Sequence, residues 1–137
     1  MIGFRMNRIR VDQFAILTDS IPPEDLSLGF AISFGVAPSI HEVCTTVRFD
    51  ISHAESPLLI LELSCFFEIR EEDWNKFKQD NKVIIPKGLL AHFGVHTIGT
   101  ARGILHCKTE GTQLNAFILP PINVSERITE DIIIEID

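Results

Sequence analysis

Between positions 42 and 69 the chain alternates apolar and polar residues through two runs, broken only at 53–57. In the first run Val43, Thr45, Val47, Phe49 and Ile51 share one parity. Glu42, Cys44, Thr46, Arg48, Asp50 and Ser52 take the other. In the second, Leu59, Leu61, Leu63, Cys65, Phe67 and Ile69 fall together, opposite Glu62, Ser64 and Glu68. Side chains of a strand point alternately to the two faces of a sheet, so the two runs read as long strands with one dry and one wet face. Phe66 breaks the rule. A large aromatic on the wet side must meet another part of the chain or a partner.

The preceding sequence supplies two more strands. In 8–18, Ile9 and Val11 share one parity and Phe14 and Ile16 the other, so a bulge is expected near Asp12-Gln13. Residues 18–25 contain Pro22-Pro23 and read as a loop, because proline donates no ladder hydrogen bond. Residues 26–36 alternate again, and their second face (Ser27, Gly29, Ala31, Ser33, Gly35) is small enough to let something approach closely. After a turn at 37–41 the central pair follows. Connections this short favour antiparallel neighbours, since parallel ones need crossovers of about a dozen residues.

The second half changes period. Residues 70–80 read as a short polar helix with a sticky edge at Trp74, Phe77 and Lys78, and 82–85 as a brief extended piece. Pro86 can open a helix without losing a hydrogen bond. From there to Lys108, a stripe of Leu90, Gly94, Ile98, Ala101 and Leu105 recurs at helical spacing, widened by Leu89, Phe93 and Ile104. Gly88, Gly94, Gly99 and Gly103 lie inside this helix at a cost of about 1 kcal/mol each, and the 99–103 pair predicts a close backbone contact. After a turn at 109–112, the apolar segment 114–124 is broken by Pro120-Pro121. It is expected as an extended strap over the body. The β-branched tail 128–137 is expected as a strand, at a sheet edge or on a neighbouring subunit. The fold class is therefore α+β: a four-stranded antiparallel sheet with a long helix packed on one face, in a single domain over residues 1–137.

Composition removes several functions. The formal charge of −7 opposes binding to phosphate backbones and anionic membrane surfaces. Arg5, Arg8 and Arg10 alternate with apolar residues as on the wet face of a strand. No apolar run of about 20 residues is present to span a membrane, and the start leads straight into charged sequence, so a cytoplasmic location is expected. The cysteines Cys44, Cys65 and Cys107 have neither metal spacing nor an even count. His92 and His96 lie one helical turn apart, but no third ligand other than a distant His106 shares their face, and no glutamate sits between them. His106 beside Cys107 points elsewhere on a helix, and 99–103 lacks the ending of a phosphate loop. Glu71, Glu72 and Asp73 suit a helix start. No enzyme, metal or cofactor signature emerges.

Two stretches carry a family resemblance. One is Val83-Ile84-Ile85-Pro86 leading into the long helix. The other is Thr112-Gln113-Leu114-Asn115 followed by Pro120-Pro121-Ile122-Asn123-Val124. With Cys65-Phe66-Phe67-Glu68-Ile69 as a last strand, the order of strands, helix and crossover over 8–124 resembles the SecB export-chaperone family. This chain departs in the extra residues 116–119 and in an isoleucine-rich tail where family members carry a second helix. The resemblance implies a chaperone that binds unfolded or export-bound polypeptide, a preprotein or an antitoxin, in an exposed apolar groove without ATP or cofactor. It also implies a homo-oligomer, dimer or tetramer, and docking to the translocation motor. The expected polypeptide-binding residues are Phe66, Trp74, Phe117, Ile118, Leu119 and Ile122, each of which could equally serve as plain core. The alternative is a small-molecule-binding or structural α+β domain with the same layout.

Overall fold

The computed structural model describes residues 2–18 and 25–136. Strands β1 (Phe4–Ile16), β2 (Leu26–Ala37), β3 (Glu42–His53) and β4 (Ser56–Ile69) form one antiparallel sheet in the order β1-β4-β3-β2. Most of the expected first loop, residues 19–24, lies outside the described residues. The alternation that announced β3 and β4 is realised in burial. Val43, Thr45, Val47, Phe49 and Ile51 are buried, as are Leu59, Leu61, Leu63, Cys65, Phe67 and Ile69.

The wet face is drier than the pattern suggests. Ser64 and Phe66 of the central strand β4 are buried there too. Phe66 is capped by two guanidinium groups of β1, Arg8 at 3.9 Å and Arg10 at 5.1 Å from the ring centre. Its anomaly is thus resolved inside the chain. The expected bulge lies at Asp12, skipped between Val11 and Gln13 in the register with β4, and a second one skips Asn7. The Asp12 bulge aims its carboxylate at Ser64, which donates at 2.6 Å, while Arg10 pairs with it at 2.5 Å. Ser64 also bonds Thr46 of β3 at 2.7 Å, so the bulge closes a chain of polar contacts across three strands. In β2, an added Cβ at Gly29 would run into the Asp50 carboxylate, the close approach its small-residue face predicted.

Helix α1 (Glu71–Lys76) is shorter than the expected 70–80. Asp80 takes a left-handed φ of 56°, which aspartate tolerates, and turns the chain into a hairpin of β5 (Lys78–Gln79) and β6 (Lys82–Ile85). Trp74 is buried and stacks on the His41 ring at 4.9 Å. Asp73 is buried as well. It accepts from the Gly3 amide at 2.7 Å and meets Arg70 at 2.9 Å and Lys76 at 3.1 Å, tying the N-terminal segment to α1. That amide, followed by the two cations, holds its carboxyl at about 2 despite burial.

Helix α2 (Lys87–Lys108) follows Pro86 as expected and lies against β3 and β4. Its predicted stripe, Leu90, Gly94, Ile98, Ala101 and Leu105, is buried together with Phe93. Phe93 stacks on Phe67 with centroids 4.3 Å apart. The glycine expectation needs correction. Gly99 and Gly103 face open space, because they fall on the side of the helix away from the sheet. The close approach is at Gly94, where an added Cβ would sit 2.7 Å from Val124 and 3.0 Å from Ile32.

Beyond the helix the chain turns through a short 3-10 segment (Gln113–Ala116), runs extended, and forms α3 (Val124–Arg127). It then ends in β7 (Ile132–Glu135), which pairs antiparallel with β6 as the third strand of a second sheet. The isoleucine-rich tail therefore pairs within its own chain. Asp131 seals the junction by accepting from the Lys87 amide at 2.8 Å, one of the otherwise unpaired donors at the start of α2.

Candidate functional site

The segment after α2 returns along the β2 flank of that helix. Two ties hold it. Asn115 donates to the His106 carbonyl at 2.8 Å, and Arg102 donates to the carbonyls of Leu119 at 2.9 Å and Pro120 at 3.4 Å. These carbonyls lie in an extended segment that belongs to no sheet, and the Arg102 side chain of the helix satisfies them. Leu114, Leu119 and Val124 plug into the core, and Val124 wedges against Gly94 and Ile32. Arg127 lies 4.9 Å above the Phe30 ring and covers part of β2.

The strap is pinned rather than interred. Ile118 keeps 61% of its surface exposed, Val95 on the facing helix 57%, and Phe117 and Ile122 are half-buried. Val95, Ile98, Arg102, Pro121, Ile122 and Val124 line an open furrow of about 170 Å³ between helix and strap. A broader apolar depression of about 530 Å³ lies at the other end of α2, lined by Ile2, Phe4, Pro86, Gly88, Leu89 and His92. On the edge strand β1, Ile9 and Val11 add further exposed apolar surface.

Of the six residues singled out in the sequence, Phe117, Ile118 and Ile122 come together on the strap. Phe66, Trp74 and Leu119 are buried at separate places. Phe66 lies beneath the arginines of β1, Trp74 against His41, and Leu119 in the core under the strap. As furrow residues, sequence reasoning passed over Val95 and Arg102, took Ile98 only as part of the helical stripe, and took Val124 only as the end of the strap. Val95 was legible as an apolar residue off the helical stripe; Val124 was not, because only the folded strap brings it to Gly94. No chemistry-bearing cluster intrudes on the furrow, and burial pushes the Cys65 thiol up, away from reactivity. Among the described residues no group of three or more His, Cys, Asp or Glu converges on a metal position. No helix there is long and apolar enough to cross a membrane.

No protein-family model matches this sequence. No curated protein matches it either. Among solved structures it is similar to the Mycobacterium tuberculosis SecB-like chaperone Rv1957, solved in complex with a ChAD peptide from the HigA1 antitoxin. The match has a TM-score of 0.51 and 15% identity, and spans 87% of this chain and 90% of that one. The fold is SecB-like. A Streptococcus agalactiae protein of unknown function is also similar, with a TM-score of 0.39 and 10% identity over 89% of this chain and 98% of its own.

Proposed function

We propose that this chain is a SecB-like chaperone that holds unfolded polypeptide in the furrow between α2 and the strap. It acts as a binding protein without ATP or cofactor. One observation carries the reading: the proline-stiffened strap leaves Ile118 exposed and Phe117 and Ile122 half-buried, and Ile122 faces exposed Val95 across the furrow in place of a closed core. Exposed apolar groups gathered along a groove are the chemistry that takes up extended, greasy segments of a partner. The similar Mycobacterium tuberculosis protein was solved with an antitoxin peptide, which supports a peptide client of that kind. Either an antitoxin or an export-bound preprotein would fit the furrow in the cytoplasm, and the acidic charge of −7 suits docking to a translocation motor. Assembly as a homo-oligomer, a dimer or a tetramer, would cover the exposed Ile9 and Val11 of edge strand β1.

Phe117, Ile118 and Ile122 make the direct contacts in this reading, while Phe66, Trp74 and Leu119 support the sheet, hairpin and strap that shape the surface. The test is suppression of aggregation of a chemically unfolded model client. The intact chain should suppress it, and Ile118→Ser with Val95→Ser should weaken suppression while leaving the melting temperature in place. A chain that leaves aggregation untouched refutes the proposal. The second reading, a small-molecule binder, draws on the depression around Phe4 and Leu89. It requires saturable binding of an apolar ligand that Leu89→Ser abolishes and Ile118→Ser does not.

A further inference from the structure

His92 and His96 stand one turn apart on α2, both exposed, with their Nε2 atoms 3.3 Å from each other. The contact is a hydrogen bond at the long end of the usual range, one ring donating and the other accepting. The same separation also suits two nitrogens that share one ion. Two imidazole nitrogens bound about 2.0–2.1 Å from one ion at the tetrahedral angle stand about 3.3–3.4 Å apart, whereas a right angle would set them about 2.9 Å apart. The rings are held there from below. Phe4 packs edge-on against both, with centroids at 5.5 Å from His92 and 5.9 Å from His96, and Phe67 lies 6.3 Å from His96. Phe4 is itself fixed against Phe93 at 5.0 Å, so the pair of rings rests on the rigid core of the domain.

We propose that His92 and His96 form a two-ligand site for a tetrahedral divalent ion of the zinc type, bound through both Nε2 atoms. No further His, Cys, Asp or Glu joins them among the described residues, so the remaining positions face solvent and take water or a ligand from outside. Loading requires each ring to carry its proton on Nδ1. The ring that donates from Nε2 in the free pair therefore changes tautomer. The site lies on the β1 flank of α2, while the strap lies on the β2 flank, so ion binding and polypeptide holding are separable.

Calorimetric titration of zinc chloride into the full chain tests this, in a Cys107→Ser background that removes the exposed thiol. One ion per chain is expected, with affinity at least tenfold lower in both His92→Gln and His96→Gln and unchanged in His106→Gln. Both rings are exposed, so circular dichroism should show the variants folded as the parent. In the parent, zinc should also shift the ring carbon–proton signals of the two histidines together. Absence of binding, or binding that survives either the His92 or the His96 substitution undiminished, overturns the proposal.

Discussion

Asp73 shows how one side chain can anchor a chain terminus. Its carboxylate takes the Gly3 amide first and the Arg70 and Lys76 cations second, and its folded pKa falls from 3.8 to about 2. A carboxyl lowered on folding stabilises the fold above its unfolded pKa, and that contribution is lost as pH falls from about 4 through 2. Unfolding by urea across this range should show stability dropping with acid, and Asp73→Asn should flatten the slope while lowering stability at neutral pH. A second residue pulls the other way. Thr45 sits wholly buried under α2 with its hydroxyl oxygen unpartnered. Valine keeps the shape and removes the unsatisfied group, so Thr45→Val should raise stability by about 1 kcal/mol, read from the urea midpoint at unchanged slope.

At the scale of elements, the glycines of α2 divide by what surrounds them. Gly99 and Gly103 face open space, so alanine at either should stabilise by about 0.5–1 kcal/mol through helix propensity alone. At Gly94 the same methyl would press on Val124 and Ile32, and overpacking of about 1–3 kcal/mol outweighs that gain. Thermal melts of the three alanine variants should therefore move in opposite directions. This contrast also marks what was legible beforehand. The β3–β4 ladder and the α2 stripe are written in local periodicity, and both were read correctly. The second sheet was not, because Lys78–Gln79 is too short to carry a period and becomes a strand only by pairing with β6. The pairing of β7 with β6 joins residues about fifty apart and has no local signal. The strap was legible from its prolines. Which of its neighbours would be core was not, since the caps over Phe66 and the plug at Leu119 are tertiary contacts.

The whole molecule is a four-stranded sheet roofed on one face by a helix, with a short hairpin, a strap and a tail strand completing the fold around α2. Among the described residues, exposed apolar surface includes the furrow on the β2 flank and Ile9 with Val11 on β1. If copies associate, sedimentation should return the mass of a dimer or tetramer, and Ile9→Lys with Val11→Lys should reduce it towards 15.4 kDa. The furrow is the feature on which a chaperone role depends, and a photoreactive residue placed in it reports directly on occupancy. Placed at Val95, which lines the furrow and is exposed, it should crosslink to an unfolded client; placed at Ser33, exposed on the opposite face of the sheet, it should not. Equal crosslinking from both positions, or none from Val95, would contradict polypeptide holding in the furrow.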